Sequence, residues 1–157
     1  MSYVSRTLGA NEKQLYLTGY HWLYWLGTAI LGLPFIAVAL FTLPYEGLDY
    51  LYLALAVVPF VYAVYYFFHG IALEVAVTSD RFVKKTGFIS ITSEEVSLDK
   101  IEEVNVAETV LGRIFGYGTV HVHGTGAGAI HVKMVQDPVR LRREIQTARE
   151  HVKGKGE

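Results

Sequence analysis

Two uncharged apolar runs near the start of the chain, Trp22 to Leu43 and Tyr50 to Phe68, constrain what it can fold into more than any other feature. At about 1.5 Å per residue the first is long enough to cross a hydrocarbon core of about 30 Å, and the second is close to the minimum. The sequence therefore predicts a transmembrane hairpin: helices at 22–43 and 50–68 joined by an external turn at 44–49. Pro44 and Gly47 break helix in that turn, and its only charges, Glu46 and Asp49, are negative. The length of the first run, its Trp flank and the second run that follows argue against a cleaved signal peptide.

Arg6 and Lys13 precede the hairpin, and Arg81, Lys84 and Lys85 follow it. The positive-inside rule then puts both termini in the cytoplasm of a multi-pass plasma (inner) membrane protein. Trp22, Tyr24, Trp25, Tyr65 and Tyr66 are expected at the inner interface, and Tyr45, Tyr50 and Tyr52 at the outer. Neither run contains Asp, Glu, Lys, Arg or His. A carrier or channel mechanism would have no charged side chain in the membrane to work with.

The remainder of the 157 residues suits one small domain, with 1–21 as a cytoplasmic N-terminal segment and 153–157 as a disordered tail. With 14 Lys and Arg against 15 Asp and Glu, the chain lacks the basic footprint of a nucleic-acid binder. It has no cysteine, which excludes disulfides, thiolate metal sites and thiol nucleophiles.

From residue 69 the hydrophobic period becomes two: Ile71, Leu73, Val75 and Val77 alternate with smaller or polar neighbours. Further strands are predicted at 81–86, 88–91, 95–98, 101–106, 119–123 and 129–134, as in a sandwich or partly open barrel. A short helix is predicted at 109–115. A final one begins after Asp137-Pro138, with Leu141, Ile145, Ala148 and Val152 as its buried stripe.

Several stretches resemble a known family. Val77-Thr78-Ser79-Asp80-Arg81-Phe82 with Gly87-Phe88-Ile89, then Ser97 to Val104, and most closely Leu111-Gly112-Arg113-Ile114-Phe115-Gly116-Tyr117-Gly118-Thr119-Val120, look like the membrane-anchored bacterial pleckstrin-homology-like proteins of the bacterial PH domain 2 family. Glu12-Lys13, Leu15-Tyr16 and His21-Trp22 resemble its short single-copy members. The resemblance implies a PH-like barrel over 69–152, capped by the C-terminal helix, on the cytoplasmic face of the membrane. It implies no enzymatic activity and no defined ligand. The glycine-rich turn 124–128 and the histidines around it depart from the family pattern.

The expected function is a non-catalytic binding or scaffold module whose partners are the lipid bilayer and a protein, or a second copy meeting it through the hairpin. Arg81, Lys84 and Lys85 form the alternative, an anionic-lipid sensor. A weaker alternative is metal binding: His121 and His123 share a strand face, and a hairpin centred on Gly126 sets His131 opposite His121. Alternation alone accounts for these histidines as the solvent face, so no metal or other cofactor is expected. No hydrolase or metalloprotease motif is present, and the Gly-rich turn lacks the Lys-Ser/Thr and helix of a phosphate loop.

Overall fold

The computed structural model describes residues 3–42, 50–126 and 128–154; the expected external turn 44–49 and the end of the expected tail lie outside them. The chain forms two compact units, Met1–His21 with Ala72–Glu157, and Trp22–Ile71.

The first unit is built from two antiparallel sheets. One has the order β1 (Gln14–Thr18), β2 (Glu74–Thr78), β3 (Arg81–Thr86), β4 (Thr92–Ser97), and the other β5 (Ile101–Ala107), β6 (Tyr117–Gly124), β7 (Gly128–Gln136). Alternation places Val75, Val77 and Phe82 on the inner face of the first sheet and Val120, Val122 and Val132 on that of the second. These meet Leu141 and Ile145 of α5 (Pro138–Gly154), both fully buried. Each such side chain contributes about 1.5–3 kcal/mol of transfer free energy. Helix α5 starts as its sequence dictates: the Asp137 carboxylate accepts the Arg140 N–H at 3.1 Å, and Pro138 occupies the first turn. Leu141, Ile145 and Ala148 are buried and Val152 packs at the edge, as the stripe predicts. Two sheets closed by one C-terminal helix fit the expected PH-like barrel.

Two strand expectations are corrected. Phe88 to Ile91 is the turn between β3 and β4, and the strand is the more polar Thr92–Ser97. Its backbone completes the ladder on β3, from Arg81↔Ser97 to Thr86↔Thr92, so pairing overrides local propensity. Residues 1–21 are also more than a leading segment. Gln14–Thr18 is β1, paired with β2 from Gln14↔Thr78 to Thr18↔Val75, and α1 (Tyr3–Thr7) brings Val4, with Leu8 just beyond it, onto Ala76 and Val83. The first sheet is thus covered on both faces.

The second unit is a pair of helices, α2 (Trp22–Thr42) and α3 (Tyr50–Ile71). Trp25 meets Phe67 edge-on at 5.3 Å, Tyr24 stacks on Tyr66 at 6.2 Å, and Gly32 lies against Ala63, so the helices run antiparallel. Gly32 admits this approach because a Cβ there would stand 2.9 Å from that of Ala63. Among the described residues, no helix is long and apolar enough to cross a membrane. The expected spans at 22–43 and 50–68 are two long helices, and their crossing of a membrane finds no support among the described residues.

Candidate functional site

The three basic residues singled out from the sequence all lie on β3, but they do not form one patch. Period-two alternation sends Arg81 and Lys85 to the α1 side of the sheet and Lys84 to the other. Each is already partnered. Arg81 donates to both oxygens of Glu12, at 2.9 and 2.8 Å, to Glu95 at 2.6 Å and to the Thr7 carbonyl at 2.9 Å. Lys84 pairs with Glu94, its cross-strand neighbour, at 2.5 Å. The ammonium of Lys85, a residue only 8% exposed, lies 6.0 Å from the Tyr3 ring centroid. A phosphate headgroup would have to displace carboxylates from two of these cations.

Glu12 is the residue that sequence reasoning missed. Its side chain is 6% exposed, which by itself would raise its pKa. The Arg81 guanidinium, the Gly9 N–H and the Thr78 hydroxyl outweigh that burial and hold the carboxyl at about 2, against an ordinary 4.5. The group fastens the segment before β1 to the β2–β3 turn, so its role is to close the fold. Glu74 does similar work at α1, accepting the Tyr3 N–H at 2.8 Å.

The histidines lie on the outer face of the second sheet. His121 pairs with His131 in register, and their Nδ1 atoms touch, one ring donating and the other accepting. The ring planes stand at 78°. His123 lies two register pairs further on, beside Ala129 of β7 and Glu103 of β5. Among the described residues, no three His, Cys, Asp or Glu side chains come together in a metal-binding group. The cross-strand pair was legible from the turn length; Glu103 was not, because its strand enters from outside the hairpin.

A fourth histidine, His21, is buried at 4% exposure where the chain leaves the β unit. Burial lowers its pKa, partly offset by a hydrogen bond to the Phe115 backbone, and its ring lies 5.6 Å from that of Tyr117. It holds the chain exit beside α4 (Val110–Phe115). In the helical unit, an apolar groove of about 550 Å³ runs between α2 and α3, lined by Trp25, Leu33, Ile36, Phe60, Val64 and Phe67 among others.

The sequence pattern of the bacterial PH domain family matches residues 28–149. Neither the curated proteins nor the solved structures searched contain a match to the chain.

Proposed function

The chain belongs to the bacterial PH domain family, and on that premise we propose that it is a non-catalytic binding or scaffold module held at a lipid bilayer by its helical pair. The observation that carries this reading is the outward display of apolar side chains along α2 and α3. Ile30, Leu33, Val38, Phe41, Val58 and Val61 are each more than half exposed, and neither helix contains Asp, Glu, Lys or Arg. A helix pair that is apolar all round needs a covering that is itself apolar, and lipid supplies it without a second protein. The cations flanking the pair support a cytoplasmic position for the β unit. With the β3 cations already partnered, binding is assigned to the surface of the module rather than to a phosphate pocket.

The test is extraction from membranes. The full chain should stay in the pellet through alkaline carbonate washing, and a variant with residues 22–71 replaced by a short Gly-Ser loop should move to the supernatant. Carbonate release of the full chain would overturn the reading.

A further inference from the structure

The β unit has two ends, and its uncovered apolar groups crowd one of them. The chain leaves toward α2 after Thr18, which pairs with Val75, and it returns through Ala72 into β2. At this same end Glu74 pairs with Lys85 and Thr86 with Thr92, so the β3–β4 turn, 87–91, projects here. Tyr117 pairs with Gln136, and the His21 N–H donates to the Met134 carbonyl at 2.9 Å, which brings α4 and the start of α5 to the same end. Ile89 is 97% exposed, Val110 79% and Ile114 70%; Ile91, Leu111 and Val139 are half exposed or more. The opposite end consists of the turns at Ser79-Asp80, Asp99-Lys100 and Thr125-Gly126, and of the exposed large hydrophobic residues described only Leu15, in the β1 bulge beside Thr78, lies near it.

Both protrusions are built to hold their shape. The Thr109 hydroxyl caps α4 by accepting the Gly112 N–H at 2.9 Å, and a Cβ on Gly112 would strike the Tyr117 carbonyl. In the β3–β4 turn, Gly87 has φ +87°, a conformation that side chains rarely adopt, with the Ser90 carbonyl where its Cβ would be.

We infer that this rim is a second, shallow membrane contact: Ile89 and Ile91 on one side, and Val110, Leu111 and Ile114 on the other, enter the boundary between headgroups and acyl chains. The inference rests on the anchoring proposed above. If α2 and α3 are seated in lipid, their peptide connections at His21–Trp22 and Ile71–Ala72 hold this end of the unit at the bilayer surface. An apolar rim there meets lipid first. Arg113, exposed on the last turn of α4, sits at the depth of anionic phosphates. The rim therefore restricts how the module tilts, and it leaves the polar far end turned toward the aqueous phase.

The absence of cysteine makes a direct test simple. Single variants Ile89→Cys, Ile114→Cys, Thr125→Cys and Val61→Cys of the full chain are labelled with an environment-sensitive fluorophore. They are reconstituted in vesicles of mixed zwitterionic and anionic lipid, with and without a lipid-borne quencher. The Val61, Ile89 and Ile114 probes should be quenched several-fold more than the Thr125 probe. A quenched Val61 probe with water-exposed Ile89 and Ile114 probes overturns the rim contact and leaves the anchor standing. Probes at 89 and 114 that are shielded from water yet unquenched by lipid overturn it in favour of a protein occupant. An unquenched Val61 probe removes the anchor, and the rim contact with it.

Discussion

The two units use valine in opposite ways. Val75, Val77, Val120 and Val122 in the sheets are 0% exposed, whereas Val38, Val58 and Val61 on the helices are 54%, 67% and 58% exposed. Alternation in a strand commits each valine to one face, and the two sheets and α5 supply the cover. The helices carry apolar residues around their whole circumference, and one partner helix can cover only a stripe. The difference teaches that the β unit is a protein core complete in itself, while the helical unit is complete only with something apolar around it.

The sharpest way to break the comparison is to place the same charge in both units. Leu141→Asp puts a carboxylate at a fully buried site and should cost the β unit about 3–5 kcal/mol, read as a large fall in its melting temperature. Val58→Asp should leave that melting temperature unchanged and weaken retention in the bilayer. Equal destabilisation by both would show that the helices share the core of the β unit.

A smaller effect is expected at Glu12. Glu12→Gln should cost about 2 kcal/mol, since Arg81 keeps Glu95 and remains partly hydrated. The pH profile gives the sign. The folded carboxyl titrates at about 2 and the unfolded one near 4.5, so its stabilisation is complete above 4.5 and is lost as pH falls toward 2. Wild type should lose its advantage of about 2 kcal/mol over Glu12→Gln across that interval in chemical denaturation.

His21 titrates in the same sense at higher pH. Its pKa is depressed by burial, so stability should fall as pH drops below the ordinary histidine value, and His21→Phe should remove that slope. The smallest effect is expected on the outer face of the second sheet. His121→Ala should change stability by less than about 0.5 kcal/mol. Adding zinc should leave wild-type melting unchanged; a stoichiometric zinc-dependent rise, lost in His121→Ala and His131→Ala, would install a metal site there.

What could be read from the sequence was local. Both long helices, the α4 segment, the Asp137-Pro138 start and the α5 stripe follow from spacing and capping within a few residues. The His121–His131 pairing followed from a turn centred on Gly126. Contacts between distant segments could not be read in this way. Arg81 was legible as a cation, but Glu12 lies 69 residues away, and no periodicity links them. Strand β1 was hidden twice over. Its partner lies beyond the helices, and its two leucines, Leu15 and Leu17, point outward at 50% and 42% exposure while Tyr16 packs toward the core. Hydropathy alone would have oriented it backwards.

The placement of α2 and α3 between β1 and β2 also fixes an order of events at the ribosome. β1 emerges early, but its hydrogen-bonding partner β2 begins only at Glu74, after both helices have been made. At ~5–20 residues per second, that strand edge waits roughly 3 to 11 s for its mate. An unpaired edge is sticky in that interval, and the β unit cannot close until the helices have been synthesised. In this chain the first sheet is therefore completed only by residues made after both helices.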